Sequence, residues 1–211
     1  MVPKALERRR RTGLWSSLGR ALLMLWRLAG ILASVNAWLT IAISAYLNPW
    51  FSIWRHAFSD LGAPQANMPW VYNAGLVVSG VLGCLFSLYL LHAAKSKVEG
   101  FSSSLLFVAG IFLALIGVFP SSTRPHTFVS TWFFVQMWLC FISYTVAAHI
   151  TGRKGLRSSL ATISVTGPLG ALLVEILWKW PSVAPLEAYG IVVVNIGVVH
   201  LTLEYGCRSV Q

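Results

Sequence analysis

The chain has 211 residues, of which 56% are hydrophobic and 10% are charged, and its mean hydropathy is +0.70. Soluble domains average about 45–50% apolar and about 25% charged residues, so this composition excludes an ordinary soluble domain and indicates a membrane protein. The net charge of +10 does not indicate nucleic-acid binding, because six of the 16 Lys and Arg residues lie within the first 20 positions and most others flank apolar runs, as in membrane proteins.

The N-terminal segment, residues 1–27, is basic and contains the run Arg8–Arg11. Arg27 interrupts the first apolar stretch, which argues against a cleaved signal peptide. Leucines recur at helical spacing in this segment, at Leu14, Leu18, Leu22 and Leu25. We therefore predict a helix that lies at the membrane interface or continues the first span inward, and we expect anionic lipid headgroups to bind its basic residues.

Six apolar stretches follow, each near the ~20 residues that a helix needs to cross a ~30 Å hydrocarbon core. The predicted helices cover roughly residues 28–47, 70–91, 105–119, 128–150, 160–178 and 188–205. Lipid cannot satisfy backbone polar groups, so these spans must be helical. The sequence predicts an all-α, polytopic bundle over residues 28–205, followed by a short tail at 206–211.

The positive charges predict the orientation of the bundle. Thirteen Lys and Arg residues lie in the N-terminal segment, in the loops near 95–97 and 153–157, and in the tail, whereas three lie in the opposite loops. Cytoplasmic loops carry the excess of Lys and Arg. We predict that both termini are cytoplasmic and that the protein spans the cell membrane.

Polar side chains gather where the chain enters or leaves the opposite ends of these helices. The stretch 48–62 contains four of them, Arg55, His56, Ser59 and Asp60. The residues predicted to bind a ligand at this outward-facing site are Arg55, Asp60, Asn73, Arg124, His126 and Glu187. Ionisable residues at a membrane boundary are functional candidates, and the arginines could pair with a lipid phosphate. The favoured function is binding of a lipid or lipid-linked ligand.

Two other functions stay open from these residues. The first is metal-assisted hydrolysis: Asp60, His126 and Glu187 are residue types that bind a divalent metal such as zinc. The catalytic candidates of such an enzyme are Ser59, Asp60, His126 and Glu187. No paired-histidine spacing and no nucleophile-elbow pattern support it. The second is a small transporter, for which Gly167-Pro168 is the one candidate helix break.

Structural roles also explain two of these residues. Asp60-Leu61-Gly62 is typical of a turn in which Gly62 takes a positive φ. Glu187 is expected in the first turn of the last helix, where the helix dipole favours an anion. The three cysteines lie outside any CxxC pattern and predict neither a disulfide framework nor a thiolate metal site.

Several short motifs carry a resemblance to a known family. They read Asn-Pro-Trp-Phe-Ser at 48–52, Phe-Ser-Asp-Leu-Gly at 58–62, Tyr-Asn-Ala-Gly-Leu at 72–76, Gly-Val-Phe-Pro at 117–120 with Pro-His at 125–126, and Trp-Pro-Ser-Val-Ala at 180–184 leading to Glu187. The chain resembles the six-helix bacterial and archaeal membrane proteins catalogued as domain of unknown function 998. A fainter similarity, through the Ser-Asp-x-Gly loop, joins it to the Frag1/DRAM/Sfk1 type. The resemblance implies the fold and the choice of residues, but no reaction.

Overall fold

A computed structural model describes the backbone of residues 4–206 and the side chains of residues 19 and 22–206. The helices are α1 (Lys4–Leu47), α2 (Pro69–Ala93), α3 (Lys97–Val118), α4 (His126–Ile150), α5 (Lys154–Leu177) and α6 (Val183–Gly206), with a 3₁₀ helix at Phe58–Gly62. All six α-helices are long and apolar enough to span a membrane, and the described residues include no β-strand. The predicted all-α, six-helix fold is confirmed.

The six helices run up and down, so the bundle has two ends. We call the end that carries the 3₁₀ helix the 3₁₀ end; there α1, α3 and α5 finish and α2, α4 and α6 begin. The described N-terminal and C-terminal residues lie toward the opposite end. The cytoplasmic placement of that end stays a prediction.

Helix α3 begins at Lys97, eight residues before the predicted start. The reason is an N-cap that the sequence prediction missed, the Ser96 side chain. The Ser96 hydroxyl accepts the Glu99 backbone N–H at 3.2 Å, and the Glu99 carboxylate accepts the backbone N–H of Lys95. The first contact satisfies one of the N–H groups that a helix start leaves unpaired, and the second holds the residue that precedes the cap.

Helices α5 and α6 also begin earlier than predicted. Leu156 and Leu160, one turn apart, are both buried and hold the first turns of α5 against the bundle. In α6, Pro185 falls within the first turn, where proline is tolerated because its missing N–H has no helical partner there. Since α6 begins at Val183, Glu187 lies beyond the first turn, and the predicted first-turn placement is wrong.

Helix α1 is continuous from Lys4 to Leu47, and its membrane-spanning part is Leu22–Leu47. The N-terminal segment thus continues the first span as one helix, and the predicted segment boundary at residue 27 falls inside it. The side chains of Arg8–Arg11 and residues 207–211 of the predicted tail lie outside the described residues.

Small residues allow α1, α2 and α3 to approach closely. A Cβ on Gly80 of α2 would overlap backbone atoms of Gly110 and Ala114 on α3. On the other face of α2, the Asn36 amide donates to the Gly75 carbonyl at 2.8 Å and to the Ser79 hydroxyl at 2.9 Å. Asn36 therefore faces the bundle, as a polar side chain in a membrane span is expected to do.

Helix α5 is attached along only part of its length. Its buried residues are Leu156, Leu160, Ile163 and Ser164, all in the half nearer the opposite end. The half nearer the 3₁₀ end exposes large apolar side chains, including Leu172, Leu173 and Ile176. A space therefore opens beside α5 toward the 3₁₀ end.

An ion-pair cluster joins three helices at the opposite end. The Arg153 guanidinium, one-tenth exposed, pairs with the fully buried Glu99 carboxylate and lies 3.9 Å from that of Glu204. It also donates to the Tyr205 hydroxyl at 3.1 Å and stands 4.9 Å from the centre of that ring. The cluster links the starts of α3 and α5 to the end of α6. Sequence analysis had assigned Glu99 and Arg153 to loops.

We expect Arg153→Met to lower the free energy of unfolding by about 3–5 kcal/mol, because it removes the guanidinium that faces a fully buried carboxylate. Equilibrium unfolding in detergent micelles measures the loss. The matched control is Arg157→Met: Arg157 is exposed, and we expect a change within about 0.5 kcal/mol. Equal losses in the two variants would show that the buried ion pair does not stabilise the fold.

Candidate functional site

Asn48, which is fully buried, fixes the two ends of the loop that carries the 3₁₀ helix. Its amide donates to the carbonyls of Ser44 at 2.8 Å and Asn67 at 3.1 Å. Its side-chain oxygen accepts the Asn67 backbone N–H at 2.7 Å and the Trp50 indole N–H at 2.9 Å. One side chain thus uses both its donors and its acceptor to close residues 48–67 over the bundle.

Two carboxylates hold the start of the 3₁₀ helix. Asp60 accepts the backbone N–H of Ala57 at 2.9 Å, and Glu187 accepts that of Phe58 at 2.7 Å. A helix start leaves such N–H groups unpaired and attracts anions. Because Glu187 belongs to α6, its bond ties the end of the bundle together across 129 residues of chain.

The start of α6 contacts the same loop at two further points. The Ala184 backbone N–H donates to the His56 carbonyl at 3.0 Å, and the Ser182 hydroxyl donates to the Ile53 carbonyl at 2.6 Å. Ala184 is fully buried. These bonds fix the direction in which Glu187 points.

Asn73 supports the end of the 3₁₀ helix. Its amide donates to the Gly62 carbonyl at 2.9 Å. A Cβ on Gly62 would overlap the Asn73 side-chain oxygen, so glycine is required by close approach. Among the described residues only Gly152 is a glycine with positive φ, so the turn predicted at Gly62 is wrong.

His126 is the first residue of α4 and is 8% exposed. Its Nδ1 lies 2.8 Å from the Phe119 carbonyl oxygen, which closes the connection between α3 and α4. A carbonyl only accepts, so Nδ1 carries the hydrogen, and in the neutral ring Nε2 is an acceptor.

A narrow cavity of about 110 Å³ lies between α1, α2, α3, α4 and α6; we call it the axial cavity. Its 3₁₀ end is lined by Ser59, Tyr72, His126 and Glu187. Its lining on α6 continues from Glu187 to Val198, a length of about 16 Å at 1.5 Å per residue. The cavity therefore reaches deep into the membrane-spanning region from a polar end.

The hydroxyl groups at this polar end are unsatisfied. Ser59 and Tyr72 are 7% and 6% exposed, and neither hydroxyl has a hydrogen-bond partner among the residues that the structure describes. The Ser59 and Tyr72 oxygens are not among the fully enclosed polar atoms without a partner, so they are accessible from the cavity. Each can bond to water or to a polar group of a ligand.

A larger cleft of about 450 Å³ lies between α4, α5 and α6; we call it the lateral cleft. Ser130, Phe134 and Glu187 line both the cleft and the axial cavity. Gly190 lets the Phe134 ring, which borders both spaces, pack directly against α6, because a Cβ at Gly190 would overlap that ring. Glu187 thus stands where a deep polar pocket meets an apolar space at the side of the bundle.

The walls of the lateral cleft are apolar because their polar atoms bond to α5. Pro168 has no N–H and leaves the Ser164 carbonyl without its helical donor, and the Trp138 indole N–H donates to that carbonyl at 2.8 Å. The Tyr189 hydroxyl donates to the Thr166 carbonyl at 2.7 Å. A Cβ on Gly170 would overlap that hydroxyl. These bonds hold α5 across the cleft.

The structure divides the predicted site residues among three places. Ser59, His126 and Glu187 line the axial cavity. Asp60 lies on the other side of the 3₁₀ helix, in a shallow pocket with Trp50, His56 and Gln65. Arg55 and Arg124 are exposed and Asn73 is half-buried, and none of the three lines any of these spaces.

The geometry offers little to the metal and hydrolase hypotheses. Among the residues whose side chains the structure describes, no three His, Cys, Asp or Glu are placed to hold a metal ion together. Asp60 and Glu187 each accept a backbone N–H instead. No hydrogen bond joins Ser59 to His126 in the described part of the chain, so the nucleophile and base of a hydrolase are not paired.

Sequence analysis missed Tyr72 and Ser130 as lining residues. Tyr72 lies in one of the motifs that carry the family resemblance, and a tyrosine hydroxyl within an apolar span was the available signal. Ser130 gave a weaker signal, since it lies one turn after His126 on the same face of α4.

Comparison with known proteins gives the family of the chain. The model of a family described as "Protein of unknown function (DUF998)" matches residues 31–204, and the chain belongs to this family. Neither the curated proteins nor the solved structures contain a match. The fainter similarity to the Frag1/DRAM/Sfk1 type is not shown by these comparisons.

We expect Glu187→Ala to lower the free energy of unfolding by about 1–3 kcal/mol, because it leaves the buried Phe58 N–H without an acceptor. Glu187→Gln keeps an acceptor oxygen and should recover most of that loss. The control is Glu175→Ala, an exposed carboxylate on α5, with an expected change within about 0.5 kcal/mol. Thermal unfolding in detergent compares the three variants, and an unaffected Glu187→Ala protein would refute a role for the Phe58 bond.

Proposed function

We propose that this member of the DUF998 family binds a lipid or lipid-linked molecule at the 3₁₀ end of its bundle. The apolar chain of the ligand occupies the lateral cleft, and its polar group lies beside Glu187. The observation that carries this proposal is the junction of an apolar cleft of about 450 Å³ with a buried polar pocket, with Glu187 lining both.

The lateral cleft has the size and lining of a ligand site. Ligand pockets commonly measure about 300–1,000 Å³ and combine apolar walls with a few placed polar groups. Here the walls are apolar because Trp138 and Tyr189 donate to α5 carbonyls. The polar groups Ser130, Thr131 and Glu187 lie toward the 3₁₀ end, which matches a lipid aligned along the membrane normal.

The position of the cleft favours a ligand that arrives through the membrane. Next to the cleft, α5 exposes apolar side chains, among them Leu169 and Leu173. Helix α5 has no buried residue beyond Ser164, so this half is held mainly by the hydrogen bonds across the cleft. A membrane-dissolved molecule can approach at this side without crossing water.

Charged residues outside the cleft complete the proposal. Arg55 and Arg124 are exposed at the 3₁₀ end, where they would contact phosphates of surrounding lipids. The basic run Arg8–Arg11 would bind anionic headgroups on the cytoplasmic face of the cell membrane. Metal-assisted hydrolysis and transport gain no specific support, because no ligand triad forms in the described residues and α5 is assigned as one helix through Pro168.

We expect Val193→Trp to abolish a bound lipid, because Val193 lines the lateral cleft and an indole would fill it. The matched control is Val192→Trp, the same change on the adjacent residue, whose side chain is 46% exposed. Native mass spectrometry of protein released from lipid discs reads the lipid adduct directly. The wild type and Val192→Trp should each retain a lipid mass that Val193→Trp lacks.

Two results would contradict lipid binding in the cleft. One is a bare protein mass for the wild type, and the other is an adduct that Val193→Trp retains. Thermal unfolding of both tryptophan variants checks the fold, since both carry the same substituent on neighbouring positions of α6.

A further inference from the structure

We infer that the polar group recognised beside Glu187 is an uncharged or cationic hydrogen-bond donor, a hydroxyl or an amine, and not a phosphate or carboxylate. This inference rests on the proposed function and names the chemical class of its ligand. Four observations at the polar end of the axial cavity support it: the charge of the linings, the acceptor at His126, the second oxygen of Glu187 and the unpaired hydroxyls.

No positive side chain lines the proposed site. The linings of the axial cavity and the lateral cleft contain neither Lys nor Arg, and the same holds for the shallow pocket around Asp60. The ion pairs found among the described residues are both made by Arg153, at the opposite end. A phosphate or carboxylate in the cavity would lose hydration and gain no opposite charge, and an unpaired buried charge is strongly unfavourable.

Glu187 makes the site unfavourable to anions. One of its oxygens accepts the Phe58 N–H, and no basic side chain within the described chain pairs with the carboxylate. An ionised carboxylate only accepts hydrogen bonds. An amine or hydroxyl on the ligand would donate to the second oxygen of the ionised carboxylate, whereas a phosphate would meet no cationic side chain there.

His126 adds a second acceptor. Its Nδ1–H is used by the Phe119 carbonyl, so Nε2 of the neutral ring is left with a lone pair. His126 is more than nine-tenths buried and lines the cavity. A ligand donor would satisfy Nε2, while an acceptor such as a phosphate oxygen would not.

The hydroxyls of Ser59 and Tyr72 complement either head group. Each can donate or accept, both residues line the cavity, and neither hydroxyl bonds to another described residue. They can accept from a ligand amine, or donate to the oxygen of a ligand alcohol. The balance of the site, with two fixed acceptors and two adaptable groups, therefore favours a donor head group.

The test uses four amphiphiles that share one chain: hexadecylamine, hexadecanol, hexadecanoate and hexadecyl phosphate. Each is titrated against detergent-purified full-length protein, and bound ligand is counted by native mass spectrometry. We expect the amine, the alcohol or both to bind at least tenfold more tightly than either anion. An anion that binds as tightly as both donors would overturn the inference.

Three variants test whether the side chains beside Glu187 determine the preference for a ligand head group, independently of the binding of the alkyl chain. Glu187→Gln removes the charge but keeps an acceptor for Phe58, and it should lower the preference for the amine over the phosphate at least tenfold. Glu175→Gln, on the exposed face of α5, should leave the preference unchanged. Tyr72→Phe removes one hydroxyl and nothing else, so it should weaken amine and alcohol binding about threefold or more without affecting the anions.

The outcomes distinguish this inference from the proposed function. If all four probes bind equally and Val193→Trp weakens all of them, lipid binding in the cleft stands and the head-group inference is wrong. If no probe binds and the wild type carries no lipid, both are wrong. A preference that Glu187→Gln and Tyr72→Phe leave unchanged would place the donor selectivity elsewhere and overturn the inference.

Discussion

The hydrogen bond from the Phe58 N–H to Glu187 is the contact on which the 3₁₀ end depends. It joins the loop after α1 to the start of α6, and it needs an acceptor because a helix start leaves its first N–H groups unpaired. The same bond uses only one carboxylate oxygen. Glu187 is therefore held rigidly by the fold while its second oxygen stays available beside the axial cavity and the lateral cleft.

The cleft itself follows from a second constraint, the missing N–H of Pro168. A proline inside a helix frees a carbonyl one turn earlier, and in lipid that carbonyl must find a donor. The Trp138 indole supplies it across the gap between α4 and α5. The bond spans the space that a close helix contact would otherwise fill. Attachment by hydrogen bonds, with few buried side chains, keeps an apolar space open beside α5.

The fold could be predicted from the sequence because each span requires a long apolar run, and composition alone reveals such runs. Helix starts were harder, since the start at Lys97 is set by the Ser96 cap rather than by hydropathy. The candidate residues were found by their charge. The sequence could not predict which of these residues share a cavity. Whether Asp60 and Ser59 face the same space depends on the backbone of a short 3₁₀ helix, which places neighbouring side chains in different directions.

The two ends of the bundle treat buried polar groups differently. At the opposite end, the Arg153 guanidinium meets two carboxylates and a tyrosine. At the 3₁₀ end, the Ser59 and Tyr72 side chains line a cavity, and no basic side chain of the described chain lines the space beside Glu187. Fully buried polar atoms without a hydrogen-bond partner in the described chain occur at both ends, for example Arg153 Nη1 and Asn73 Oδ1, so such atoms do not by themselves distinguish the two ends. The 3₁₀ end differs because its polar groups border a cavity that an apolar cleft adjoins, and the proposed ligand site rests on this arrangement.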